Sequence, residues 1–172
     1  MSQPFLISFK PEISLQELSE ENQLVIQSPE RKLTFKKIHP NLKNAISSLA
    51  EGNSTLSQLL DILQQGEEKY PILKFYTYLQ KFSHQGWLCH SVVESKQPMA
   101  MAIPMGGNYQ FSYPEVTPEL PYSLSRFAYC HQVGGKMVLE SPLSQTKILL
   151  LSWKSSALIN LLAKPQTWGE IV

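Results

Sequence analysis

The chain has 172 residues, with 15 Lys and Arg against 14 Asp and Glu and a charged fraction of 17%. A net charge near zero excludes a basic nucleic-acid arm or a charged tail, and 42% apolar with 10% aromatic residues excludes wholesale disorder. The longest unbroken apolar run, Met99 to Ile103, is far short of the roughly 20 residues that span a bilayer. The start, MSQPFLISFKPE, lacks the basic stretch and apolar core of a secretory signal. Two cysteines, Cys89 and Cys130, are too few for a disulfide framework. These features together predict a cytoplasmic protein.

Taken in chain order, the first elements are β-like runs at Phe5 to Phe9, Gln23 to Gln27 and Leu33 to Ile38, the last two joined by the turn Ser28-Pro29-Glu30-Arg31. Glu17, Glu20 and Glu21 read as a solvated loop ahead of the second strand. Then the period changes to that of a helix. Pro40 suits a first turn, Leu42, Ala45, Ile46 and Leu49 follow at helical spacing, and Gly52 ends the run. Ser54 is the expected cap of a second helix carrying Leu56, Leu59, Leu60 and Leu63, which stops at Gly66. A third helix is predicted from about Tyr70 to Ser83, with Ile72, Phe75, Tyr76, Leu79 and Phe82 as its buried stripe and Gly86 closing it. Trp87 to Val93 reads as another strand.

Residues 95 to 124 hold prolines at 98, 104, 114, 118 and 121, plus Gly106 and Gly107. They read as an ordered linker or wing, held against a domain by Met99, Met101, Met105, Tyr109, Phe111 and Tyr113. Strands, three helices, then a strand and a wing is the winged helix-turn-helix layout.

An internal repeat organises the rest. Residues 24 to 52 overlay residues 137 to 165 without a gap, with identities at Val25/Val138, Ser28/Ser141, Pro29/Pro142, Ile46/Ile159, Leu49/Leu162 and Ala50/Ala163. The matches sit at one turn and along one helix stripe, where backbone geometry and packing demand particular residues. With one residue dropped, Thr55 to Leu60 continues onto Thr167 to Val172. The expected fold class is therefore α+β, two tandem winged helix-turn-helix repeats with the second truncated. Residues 1–94 form the first, 95–124 the linker or wing, and 125–172 the start of the second. A second copy without its later helices leaves apolar faces uncovered, so the chain is expected to be a fragment of a longer protein. In the gapless alignment Lys36 and Lys37 meet Leu149 and Leu150, so the first copy is the one expected to be open to a ligand.

Cys89-His90 and Cys130-His131 offer zinc's preferred ligand types, but neighbouring strand residues point to opposite faces. Buried structural cysteines beside strand histidines are the expectation, with His39 and His84 as caps or surface residues. Gly106-Gly107 and Gly134-Gly135 match no phosphate-loop pattern, and the second pair reads as a hairpin turn. The basic cluster Arg31, Lys32, Lys36, Lys37, Lys43 raises a winged-helix DNA-binding regulator as an alternative. The neutral chain and the mixed charge around Lys69, Lys74 and Lys81 argue against it.

A peptide groove accounts for the same residues. Tyr70, Lys74, Tyr78 and Lys81 are spaced along one stripe of the third helix. A strand carrying Lys32, Thr34 and Lys36, if it lies at a sheet edge, offers unpaired backbone to an extended peptide. Aromatic rings with cations suit an acidic, partly apolar segment, bound either within a larger enzyme or by a stand-alone peptide-binding module.

The segment Leu124 to Ile171, with SRFAY, then GG, LESPL, a leucine-rich strand and a helix reading AL-x-x-L-A-x-P, resembles the region ahead of the flavin domain in SagB-type dehydrogenases. These include the cyanobactin azoline oxidases. Residues 5 to 94 are similar in layout to the precursor-peptide recognition element of the same pathways, in which a leader peptide adds to the third strand and packs on the third helix. The resemblance implies FMN-dependent oxidation of thiazolines or oxazolines to thiazoles or oxazoles. It places FMN and all catalytic groups in a nitroreductase-like domain expected after Val172. The expected partners are a precursor leader peptide and that flavin domain, through which a homodimer could form. No cofactor and no metal are expected in this chain.

Overall fold

The computed structural model describes residues 5–18, 22–52, 54–95, 97–112 and 115–171. Strands β1 (Leu6–Phe9), β2 (Ser14–Leu18), β3 (Gln23–Gln27) and β4 (Lys32–Lys36) come first. Helix α1 (Pro40–Glu51), the two-residue strand β5 (Ser54–Thr55), α2 (Leu56–Leu63) and α3 (Ile72–His84) follow. A hairpin of β6 (Leu88–Glu94) and β7 (Gln97–Pro104) leads to β8 (Tyr129–Val133), β9 (Lys136–Glu140), β10 (Thr146–Leu150), α4 (Trp153–Leu161) and α5 (Trp168–Ile171). All strand pairs are antiparallel, in a seven-stranded sheet ordered β5-β1-β6-β7-β10-β9-β8 and a three-stranded sheet ordered β2-β3-β4. Antiparallel sheets with separate helices make an α+β fold.

Local chemistry sets the helix ends. In α1, Pro40 occupies the first turn, the Asn41 N–H donates to His39 Nδ1 at 3.2 Å, and Gly52 closes the helix in the left-handed region at φ 77°. The cap of α2 is Thr55 rather than the expected Ser54. Thr55 and Gln58 bond reciprocally, while Ser54 pairs with Ile7 of β1. Both residues are good caps, but the Ser54 hydroxyl is engaged with that of Ser48, while Thr55 stands three residues before Gln58 and completes the box.

The core lies between β1, β3, β4 and the three helices. Leu24, Ile26, Ala45, Ile46, Leu49, Leu59, Leu63, Phe75 and Phe82 are fully buried there, joined by Phe9, Trp87 and Leu88. Phe82 meets Phe9 edge-on at 5.3 Å between ring centroids and stacks on Trp87 at 5.9 Å. Each such side chain contributes on the order of 1.5–3 kcal/mol on burial. Of the stripe expected to be buried, Tyr76 is instead 38% exposed, because α3 turns it past the edge of the contact.

The polar segment before β3 is not a loop. It forms β2, pairing Gln16 with Val25 and Leu15 with Ile26. Glu17 lies on β2 and pairs with Lys43 of α1 at 2.6 Å; Glu20 and Glu21 fall outside the described residues. With one half-buried Leu and exposed neighbours, this strand carries little local signal. Within residues 95–124, 97–104 form β7, which pairs with both β6 and β10. Tyr109 is buried and its carbonyl accepts from the Ser83 hydroxyl at 2.9 Å; Tyr113 is outside the described residues.

A strand-strand-helix order recurs. β3 and β9 are offset by 113 residues, and α1 and α4 start with the same offset. Thr167 repeats the cap of Thr55, its N–H and hydroxyl both donating to the Glu170 carboxylate. The gapless alignment fails at β10. Val25 faces Thr34, but Val138 faces Leu149, so β10 lies two residues further along than the alignment placed it. The longer connection between β9 and β10 takes up the difference, and Lys36 corresponds to Leu151 rather than to Leu149.

Candidate peptide-binding groove

Strand β4 is the outermost strand of its sheet among the described residues, bonded to β3 on one side. The β3–β4 turn fixes which of its backbone groups are free. Ser28 N–H donates to the Arg31 carbonyl at 2.8 Å, and the pairs beyond it run Gln27/Lys32, Ile26/Leu33, Val25/Thr34, Leu24/Phe35 and Gln23/Lys36. Hydrogen-bonded and non-bonded pairs alternate in an antiparallel ladder. Leu33 and Phe35 therefore turn their N–H and C=O towards β3, while Lys32, Thr34 and Lys36 turn theirs to the open edge.

The side chains separate in the same two-residue period. Phe35 is buried and meets the Tyr78 ring of α3 edge-on at 5.0 Å, whereas Lys32, Thr34 and Lys36 are exposed. Between β4 and α3 lies a groove of about 330 Å³ walled by Thr34, Phe35, Lys36, Tyr70, Lys74 and Tyr78. Lys37, Ile38, His39 and Leu42 complete it. Lys37 enters the groove because its backbone is left-handed, at φ 50°. His39 is held as the α1 cap, with Nε2 3.9 Å from Glu68.

Five of the seven residues expected at the site, Thr34, Lys36, Tyr70, Lys74 and Tyr78, meet in this groove. Lys32 lies at the far end of the same strand. Lys81 sits one turn along α3, its Nζ 5.9 Å from the Tyr78 ring centroid. With Arg31, Thr77, His84 and Asn108 it lines a separate hollow further along α3. One expectation is corrected: Tyr70 is not on an exposed helical stripe. It precedes α3, is 8% exposed, and its phenol is pushed up to about 12 by burial and by the neighbouring Tyr78. Tyr78 is half-buried. The two tyrosines are thus a wall of the groove, and Lys74, Lys36 and Lys37 are its cationic rim. Phe35 and Leu42 were missed as lining residues, since their apolar periodicity reads equally well as core.

The Cys-His dipeptides are not a shared site. Cys89 and His90 pair with Ser8 and Ile7 of β1, Cys130 and His131 with Leu139 and Val138 of β9. Cys89 is buried, as expected, but Cys130 is exposed because β8 is an outer strand. Burial pushes the Cys89 thiol up to about 12 and lowers His90 to about 4. No group of three His, Cys, Asp or Glu able to hold a metal occurs among the described residues. None of the described helices is long and apolar enough to cross a membrane.

Comparison with known families places these features. Residues 1–113 match the family described as the ThcOx helix turn helix domain, and residues 122–172 match the family described as cyanobactin oxidase ThcOx. No curated protein matches the chain. The first match covers more than half of the sequence and contains the whole groove, and the second covers the strands and helices that repeat its pattern. The chain therefore belongs to the ThcOx helix-turn-helix domain family, with a role in cyanobactin maturation.

Proposed function

We propose that this chain is the leader-peptide recognition part of an FMN-dependent azoline oxidase, which converts thiazolines or oxazolines to thiazoles or oxazoles in cyanobactin precursors. In this reading residues 1–94 are a winged helix-turn-helix peptide-recognition domain and residues 125–172 belong to a second copy of it. The observation that carries the reading is the open edge of β4 facing Tyr70, Tyr78 and Lys74 across a groove. An extended peptide adds its backbone to Lys32, Thr34 and Lys36 and sets alternate side chains against the tyrosines. The lysines select acidic residues beside them.

The largely apolar hollow under β1 and β6 does not suit FMN. The apolar hollow beside Ile7, Leu79, Leu88 and Phe111 holds about 200 Å³ and has no Lys or Arg to take a phosphate, against the roughly 300–1,000 Å³ of ordinary ligand pockets. In this proposal flavin and catalytic groups come from a nitroreductase-like domain of the oxidase, and this chain's share of the reaction is to capture and orient the precursor.

Fluorescence anisotropy with a labelled cyanobactin leader peptide tests the proposal. Lys74→Glu is expected to weaken binding about tenfold, equivalent to about 1.4 kcal/mol, and Tyr78→Ala to weaken it at least as much. Unchanged affinity in both variants refutes it. Binding of duplex DNA with a steep salt dependence would favour a winged-helix regulator instead.

A further inference from the structure

Strand β7 lies against β10 in the place where a peptide would lie against β4. Leu149 faces Val138 as Thr34 faces Val25, so the outer edges of β10 and β4 correspond. On β10 that edge is filled. β7 runs antiparallel along it from Thr146/Pro104 to Leu150/Ala100. Leu151 N–H donates to the Met99 carbonyl and Met105 N–H to the Gln145 carbonyl, both at 2.9 Å. By the alternation of the ladder, Lys147, Leu149 and Leu151 turn their backbone groups to β7. The residues at matching places on β4 are Lys32, Thr34 and Lys36, whose groups face the open edge.

Side chains differ between the two edges. Opposite Leu151 and Leu149, β7 presents Met99 and Met101, apolar against apolar. The first copy has Lys36 and Thr34 there, with Lys37 and Lys74 lining the same end of the groove. A methionine in the place of Met99 would lie on the exposed face opposite Lys36, whereas a carboxylate there would pair with that lysine. Residues at the places of Ala100 and Ala102 project to the other face, towards Tyr78 and Tyr70, where the groove has room for larger apolar side chains.

We propose that β7 is an internal stand-in for the ligand strand. It closes the edge of β10, leaving β4, of these two corresponding edges, as the peptide acceptor, and it displays how the ligand sits: antiparallel, in β7's register, with an acidic residue opposite Lys36. This rests on the peptide-recognition reading above.

Residue-resolved amide exchange on the whole 172-residue chain tests it with two synthetic probes, the strand Gln97–Pro104 as an octapeptide and its Met99→Glu form. Without peptide, the Leu149 and Leu151 amides should exchange at least tenfold more slowly than those of Thr34 and Lys36. The Met99→Glu probe should slow Thr34 and Lys36 at a concentration at least threefold lower than the unmodified strand requires, and leave Leu149 and Leu151 unchanged. Leu149 and Leu151 exchanging as fast as Thr34, or slowed further by either probe, overturns the closed edge. Equal protection of Thr34 by the two probes, or none by either at millimolar concentration, overturns the register and charge assignment. Where the Met99→Glu probe protects Thr34 but a cyanobactin leader does not, the functional reading fails and this one stands.

Discussion

Replacing Thr34 by proline separates the open edge of β4 from the fold that carries it. Thr34 turns its N–H away from β3, so losing that donor breaks no bond of the ladder. Proline is tolerated on an edge strand when the missing N–H faces solvent, and Leu33 before it is already extended. The expected stability cost is about 1 kcal/mol, a fall of roughly 2–4 °C in Tm for a chain of this size. A bound peptide loses more. One backbone hydrogen bond contributes about 0.5–1.5 kcal/mol net, and the pyrrolidine ring also holds the incoming strand off its partners at Lys32 or Lys36. Two such bonds amount to about 2 kcal/mol, roughly thirtyfold in Kd. Leu33→Pro is the control, since it removes an N–H that β3 uses and is expected to unfold the sheet. Leader-peptide anisotropy together with thermal denaturation reads both quantities. Thr34→Pro binding within twofold of the parent, or unfolding as readily as Leu33→Pro, refutes the assignment of β4's free edge.

Gly86→Ala should be severely destabilising. Gly86 lies at φ 66°, and a Cβ there would stand 2.2 Å from the Gly106 carbonyl oxygen, on the segment whose Asn108 N–H donates to the His84 carbonyl. Gly135→Ala, at φ 80° with open space around it, carries the left-handed cost of roughly 1–2 kcal/mol alone. Urea unfolding should separate the two by at least about 2 kcal/mol, and equal losses would sink the close-approach argument. His90 binds its proton more weakly folded than unfolded, with its pKa lowered from 6.5 to about 4 by burial. The unfolded chain therefore takes up the proton first. Its contribution is complete above about pH 6.5 and declines as the pH falls to about 4, with a slope of up to about 1.4 kcal/mol per pH unit. His90→Gln should flatten that limb of the pH–stability curve, and an unchanged limb would disprove it. A thiol reagent should label Cys130 in the native chain and reach Cys89 on unfolding, because Cys89 is buried with its thiol held at about 12; rapid native labelling of both would contradict the burial of β6.

Much of the first copy was legible because its signals are local. Leu42, Ala45, Ile46 and Leu49 recur at the helical period between Pro40 and Gly52, and α1 follows from those residues. β2 escaped detection since Ser14-Leu15-Gln16-Glu17-Leu18 has one half-buried side chain and is a strand by virtue of pairing with β3. Tyr70 was misplaced for a related reason. Its four-residue spacing to Lys74 suggested one helix face, but α3 begins after Pro71, and the backbone before it carries the ring inwards.

The sequence by itself determined the buried stripes of α1 and α2 and the turn between β3 and β4, and through its internal repeat the recurrence of one hairpin and helix. Tertiary structure alone decided which strand edges stay open. The contrast between KLTFK in β4 and TKILL in β10 pointed to the first copy as the open one, but it does not say that β7 covers the edge of β10 while nothing among the described residues covers that of β4. Edge pairing depends on where a distant segment returns in space, and a period-two pattern specifies which face a side chain takes but not which neighbour its backbone meets.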